Sequence, residues 1–216
     1  MKKLLLLIFT LNILHASGQI DIADHHKSLA LNESALNEMQ QGHYEPAIGK
    51  LIQAINLDSM QRSYYINLYE ACLASENYMQ VISYLQKATR IFQEDDELFY
   101  YMGNIFQKTD NTDQAIICYD SAIVYSKING EDYPIVYAYY LNRGNCLMKK
   151  KKFKMATADY NEAIRLNDSD GASYTNRGIA LYQQGKKEDA CADWEKAVTF
   201  GQSVASQYIN KYCNNK

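Results

Sequence analysis

The side chains of this 216-residue sequence best suited to nucleophilic, acid–base or metal chemistry are its four histidines and five cysteines. His25, His26 and His43 cluster near the start, and none lies in a zinc-protease pattern. Cys72, Cys118, Cys146, Cys191 and Cys213 form no CxxC pair and show no metal-ligand spacing. There is no glycine-rich phosphate loop, no GxSxG and no Walker lysine, and the carboxylates are scattered as on solvated helix faces. A nucleophile, a base and an orienting group are therefore not assembled by the sequence. The chain is read as a non-enzyme, with no cofactor and no metal ion.

The residues that would position any site recur. YLNRGNCL (140–147) and YTNRGIAL (174–181) are near-copies whose glycines, Gly144 and Gly178, are 34 residues apart. Tyr160 and Trp194 follow them at the same offset. Gly103, preceded by Phe99 and followed by Ala115, Tyr119 and Ala122, begins the pattern one copy earlier. Tyr65, Leu68, Tyr78, Val81, Leu85 and Ala88 repeat it again, and Leu31, Ala35, Gly42, Tyr44, Ala47, Leu51 and Ala54 a fifth time. Within each copy apolar residues recur at three and four, as amphipathic helices require. Small residues mark close helix approach, large aromatics such as Phe99, Tyr119, Tyr140, Tyr160, Tyr174 and Trp194 fill the space between helices, and no stretch alternates as a strand. Gly42, Gly185, Glu76-Asn77 and Asp110-Asn111 mark the turn inside each pair. Pro46 fits the first turn of a second helix, and Pro134 opens a first helix.

These residues resemble the tetratricopeptide repeat, in which an aromatic, Leu-Gly, a second aromatic, a turn, Ala, an aromatic and Ala define one helix pair. The resemblance covers about 28–204. It implies an all-α, right-handed α-solenoid of antiparallel helix pairs, with repeats at about 28–61, 62–95, 96–129, 137–170 and 171–204. Gly103 and Gly144 are 41 residues apart, so seven extra residues fall near 126–134. That predicts a longer loop and a lengthened helix into the fourth repeat. Ser203 to Cys213 reads as a capping helix with Ala205, Tyr208, Ile209 and Tyr212 on one face.

In this family the first helix of each pair lines a concave face that generally takes extended peptides or partner helices. By offset that face receives Asn67, Glu70, Tyr100, Tyr101, Asn104, Lys108, Leu141, Asn142, Asn145, Lys149, Thr175, Asn176, Ile179 and Tyr182. Phe99 is assigned to the core, so Tyr100 or Tyr101 should face the groove. Asparagine can donate to and accept from a peptide main chain at once, and tyrosine supplies rigid amphipathic area. Truncating such residues should cost binding while leaving folding nearly unchanged. The family's carboxylate-gripping variant needs lysines where this chain has Tyr100, Leu141 and Ala172.

Two further expectations come from comparing repeats. Arg143 and Arg177 stand where earlier copies have Leu68 and Met102, and Asp159 and Asp193 where they have Tyr84 and Cys118. Charges entering together at a fixed offset predict half-buried ion pairs, with Arg177 reaching either Asp193 or the preceding repeat's Asp159. Cys191 on the last second helix and Cys213 near the end of the cap are a candidate disulfide. Cys118 with Cys146 is a second candidate, and Cys72 is read as a core residue.

Residues 1–18 combine two lysines, LLLLIFTLNIL and Ala16-Ser17-Gly18, the pattern of a secretory signal peptide cleaved before Gln19. The expectation is a periplasmic, outer-envelope or secreted chain, 19–216, with no membrane span after cleavage. A net charge of −3 argues against nucleic acid. The basic run Lys149–Lys152 with Lys154 is read as a solvated turn. The function implied is an exported adaptor or scaffold for a protein or extended peptide. The alternatives are a structural, self-assembling envelope protein and a thiol–disulfide enzyme.

Overall fold

The computed structural model describes residues 21–214, so the expected signal peptide lies outside the described residues. The described chain is helical throughout, without strands. In order the helices are α1 (Ile22–Gln40), α2 (Tyr44–Leu57), α3 (Arg62–Ala74), α4 (Tyr78–Ile91), α5 (Asp96–Lys108), α6 (Thr112–Asn129), α7 (Val136–Lys149), α8 (Phe153–Leu166), α9 (Gly171–Gln183), α10 (Lys187–Thr199) and α11 (Ser203–Tyr208). A π-helical turn, Ile209–Cys213, follows α11 directly. The chain forms two compact units, one ending at Asn77 and one beginning at Tyr78.

Local chemistry explains where these helices start and stop. Asp21, Asp95 and Asp170 cap α1, α5 and α9, their carboxylates accepting from the N–H groups of Ala23, Leu98 and Ser173. Such caps satisfy donors the first turn leaves over. Each helix pair turns through one residue at positive φ, Gly42, Glu76, Asp110, Lys151 and Gly185 in succession. In each case the next residue donates its N–H to a carbonyl five residues back, as Lys152 does to Leu147 at 2.9 Å and Lys186 to Leu181 at 3.0 Å. This is the Schellman arrangement, repeated at every pair. Lys151 falls within the basic run that the sequence reading takes as a solvated turn.

In the first unit α1 packs on α2 and α2 on α3. Ala35, Ile48, Leu51, Ile55, Tyr64 and Tyr65 are buried there. In the second unit α5/α6, α7/α8 and α9/α10 are antiparallel pairs stacked in chain order. Each pair closes on one glycine. A Cβ on Gly103 would stand 2.6 Å from Tyr119, on Gly144 2.7 Å from Tyr160, and on Gly178 2.5 Å from Trp194. The three aromatics are buried, so they fix how closely each pair approaches.

Three expectations need correction. The core position of α5 is taken by Leu98, while Phe99 is only half-buried and stacks on Tyr125 at 5.4 Å. The extra residues lengthen the helix leaving the third repeat rather than the one entering the fourth. α6 has 18 residues and ends at Gly130, where φ is 110°, whereas α7 has 14. Pro134 lies in the loop two residues before α7 and does not open it. The loop is tied down by Glu131, which accepts from the Tyr140 hydroxyl at 3.2 Å and from Arg165 at 3.0 Å.

Candidate functional site

Two guanidinium–carboxylate clamps brace the pairs that carry the site. Arg143 donates to both oxygens of Asp159 at 2.6 and 2.9 Å, and Arg177 does the same to Asp193 at 2.6 and 2.7 Å. The partner of Arg177 thus lies in its own repeat. Each arginine spends its remaining terminal nitrogen on the preceding repeat, Arg143 on Asp120 at 2.7 Å and Arg177 on Asn161 at 2.9 Å. Both aspartates are buried. Burial works against the charge on Arg143, but the Asp159 and Asp120 hydrogen bonds outweigh it and hold the guanidinium above its ordinary range. The hydrogen bonds that Arg177 donates to Asp193 do the same for its guanidinium. Bidentate geometry of this kind fixes orientation as well as charge. The links to Asp120 and Asn161 were not foreseen, because they depend on how successive repeats stack.

The expected groove residues of the second unit share the first helices α5, α7 and α9, and the structure joins four of them in two pairs. Asn142 donates to Asn104 at 3.0 Å, and Asn176 donates to Asn145 at 2.9 Å. The same two acceptor oxygens receive the hydroxyls of Tyr119 and Tyr160, each at 2.9 Å. The Gln107 side-chain oxygen also lies 2.8 Å from the Tyr119 hydroxyl. In α5/α6 and α7/α8 a buried core aromatic therefore reaches through the pair and orients an asparagine of the first helix. Asn145 keeps its side-chain N–H groups, and Asn176 its side-chain oxygen, outside these bonds. In the first unit Asn67 donates to Asn32 at 2.8 Å, the same device in another pair.

Tyr100 is half-buried between Tyr139 and Tyr119, with ring centroids at 4.9 and 6.1 Å. Burial, first among the causes, raises its hydroxyl pKa, although hydrogen bonds with Asn104 and Asn142 act the other way. The expectation that truncating Tyr100 leaves folding nearly unchanged is therefore corrected, since its ring is part of the packing. Tyr101 is held by a hydroxyl bond to Glu97. Lys108 is exposed at the end of α5. Lys149 pairs with Asp110, and Lys150 with Asp113, so two of the five lysines of the basic run are bound to the preceding repeat. Thr175, read as near the groove, is instead buried, its hydroxyl donating to Gly171 at 2.8 Å.

The cap changes the status of Tyr182. α11 and the π turn lay Tyr208 on Trp194 at 5.1 Å and Tyr212 on Tyr182 at 4.4 Å. Tyr182 is thus partly covered by the end of the chain and is not an open groove residue. The sequence showed the apolar face of this segment but not its π register. Cys191 and Cys213 are disulfide-bonded, with alpha-carbons 5.9 Å apart, locking the π turn to α10. Cys118 and Cys146 remain separate, buried free thiols, as does Cys72. Burial pushes the Cys72 and Cys118 thiols up to about 12 and the Cys146 thiol to about 11. Such thiols are poor nucleophiles.

In the first unit His25 and Gln61 both donate to the buried carboxylate of Asp58, at 2.7 and 2.9 Å. His26 is exposed, and His43 lies against Glu38 at 3.1 Å. Among the described residues no group of three or more His, Cys, Asp or Glu stands where it could hold a metal ion. No helix among them is long and apolar enough to cross a membrane.

Comparison with known proteins agrees with this geometry. The tetratricopeptide repeat family model matches residues 137–170. The TPR repeat-containing protein MJ0263 of Methanocaldococcus jannaschii is 30% identical over 95 residues, a stretch covering 44% of this chain and 29% of that relative's length. Among solved structures, the MamA protein superimposes with a TM-score of 0.72 at 16% identity, covering 83% of this chain and 94% of MamA. YrrB, described as a TPR protein with an unusual peptide-binding site, gives 0.67 at 18%, covering 84% and 90%. Pseudomonas aeruginosa pilF gives 0.68 at 16%, covering 82% and 78%. At these identities the structures speak to fold alone. The described residues thus have the all-α helical-repeat fold of these structures, and residues 137–170 match a tetratricopeptide repeat.

Proposed function

We propose that this tetratricopeptide-repeat protein is an exported adaptor that binds an extended segment of another protein across the first helices of its second unit, α5, α7 and α9. The observation that carries the reading is the paired asparagines, Asn104 with Asn142 and Asn145 with Asn176, oriented from behind by Tyr119 and Tyr160. Pre-oriented amides favour main-chain recognition because little side-chain freedom is lost on binding. Their donors and acceptors suit a peptide backbone, and the flanking tyrosines add contact area without demanding a particular sequence. The Cys191–Cys213 disulfide supports export, since such bonds persist in oxidising compartments. So does the basic-then-apolar pattern of residues 1–18. The raised pKa values of the three free thiols speak against thiol–disulfide catalysis.

Peptides selected from a random library against the chain would be used to map the face by hydrogen exchange. Slowed exchange centred on α5, α7 and α9 is expected. Slowing confined to α6, α8 and α10 would overturn the assignment. The export half of the reading is tested separately by N-terminal sequencing of the native protein, which should begin near Gln19. Recovery of an intact Met1 in the cytosol would remove it.

A further inference from the structure

The second helices of the repeats turn one face outward, and the repeats serve as each other's controls for what that face requires. On α6 it carries Ile117, Val124 and Ile128, which are 55%, 56% and 64% exposed, with Ser121 between them. At the matching offsets α4 carries Ser83, Lys87 and Arg90, and α8 carries Ala158, Glu162 and Arg165. The fold of the repeat therefore does not ask for an apolar stripe here. α6 is also the lengthened helix, and its extra turn is what carries Ile128.

The spacing 117, 121, 124, 128 is four, three, four, the seam of a helix that packs lengthwise on another helix. Along one flank of the seam, at intervals of seven, stand Asp113, Asp120 and Lys127. The two carboxylates lie in the first half of α6, each holding one cation of its own chain through a single oxygen, Lys150 and Arg143 respectively. Lys127 lies in the last turn, is exposed, and makes no ion pair among the described residues. A second α6 running antiparallel places Ile117 opposite Ile128 and Ser121 opposite Val124. It also brings each Lys127 beside the other helix's Asp120. The pattern is complementary to its own reverse, the requirement of a two-fold interface.

We propose that α6 is a self-association surface at which two copies of this chain pair antiparallel through Ile117, Ser121, Val124 and Ile128, flanked by reciprocal Lys127–Asp120 contacts. The stripe runs for roughly 16 Å, three helical turns, so the pair is a small, concentration-dependent interface. It lies on the second helices and leaves the asparagine face open. A pair so formed would present two such faces to one partner and gain avidity from them.

Sedimentation of the chain over a concentration series should show a monomer–dimer equilibrium. Val124→Glu and Ile128→Glu should each abolish the dimer while leaving the thermal melt unchanged, because both side chains are exposed. Orientation is read by mixing an Ile117→Cys chain with an Ile128→Cys chain in the presence of a short bis-maleimide. Cross-linking of the mixture, with little in either variant alone, is expected. A monomer at every concentration, a dimer indifferent to Val124→Glu, or cross-links formed equally well by Ile117→Cys alone would each overturn the proposal. So would flotation of the wild-type chain, but not Val124→Glu, with phosphatidylcholine–phosphatidylglycerol vesicles, which would assign the stripe to a lipid surface.

Discussion

Substituting Gly178 by alanine tests whether glycine–aromatic contact sets the helix spacing in each pair. The added Cβ would lie 2.5, 2.7 and 3.0 Å from three atoms of the Trp194 indole. The ring has little room to retreat. It stacks on Tyr208 at 5.1 Å, and its Nε1 donates to the Thr175 carbonyl at 3.2 Å. Accommodation either crowds the core, at roughly 1–3 kcal/mol, or breaks that hydrogen bond and strands a buried donor, at a similar cost. Against this stands about 1 kcal/mol gained by replacing glycine with alanine in a helix. The expected net is a destabilisation of up to about 2 kcal/mol. For a chain of this size each kcal/mol lowers Tm by roughly 2–4 °C. Gly49, in the middle of α2, is the control, since its Cβ would meet nothing within 4 Å. Gly49→Ala should raise stability by roughly 0.5–1 kcal/mol. The assay is a thermal melt followed by fluorescence, because Trp194 is the sequence's one tryptophan and reports this contact directly. A Gly178→Ala protein as stable as wild type, with unshifted emission, would refute the reasoning.

Reduction of the Cys191–Cys213 bond, or Cys213→Ala, should cost roughly 3 kcal/mol for the 22-residue closure and loosen the cap. Protease nicking within 203–213 on reduction would report it, and an unchanged melt would count against that estimate. Asp193→Ala should destabilise by roughly 3–5 kcal/mol, because Arg177 is left half-buried without its carboxylate. Replacing both partners with apolar residues should recover much of that loss, and a double variant no better than the single would contradict the pairing. At Asp58 burial pushes the carboxyl pKa up, but hydrogen bonds from His25, Met60 and Gln61 outweigh it and hold the pKa below 3.8. The stability this contributes is present above that ordinary value and is lost as pH falls through the folded-state pKa. Urea melts from pH 6 to 2 should show that acid slope in the wild type and a weaker one in Asp58→Asn; equal slopes would exclude Asp58.

The helix pairs were legible in the sequence because three of them, α5/α6, α7/α8 and α9/α10, set a glycine beneath an aromatic, and every turn carries a left-handed residue, both of which leave local signatures. Gly144 with Tyr160 and Gly178 with Trp194 carried most of that signal. The clamps of Arg143 and Arg177 were legible for a related reason, since a charge that enters an apolar position must enter with its partner. Their third contacts, Asp120 and Asn161, were not, because they depend on the stacking of one repeat on the next. Three aromatics in a row, 99 to 101, left the register of α5 open. The Asp95 cap and the packing of Tyr100 against Tyr139 decide it in favour of Leu98 inward. Tyr182 sat at a groove offset, yet a short helix passing into a π turn brings Tyr212 onto it, and no local pattern announces that passage. The asparagines were placed on the correct helices, but their bonds to one another and to Tyr119 and Tyr160 make them braces as well as contacts.

Binding is expected on the shared face of α5, α7 and α9. Calorimetric titration of a library-selected peptide into wild type, Ala172→Arg and Lys154→Glu tests it most directly. Ala172 is a small, half-buried residue of α9 at a groove offset, and Lys154 is an exposed residue of α8. Ala172→Arg should weaken binding by at least roughly tenfold, ~1.4 kcal/mol, with an unchanged melt, while Lys154→Glu should bind as wild type does. Unaltered affinity in Ala172→Arg together with lost affinity in Lys154→Glu would contradict that expectation.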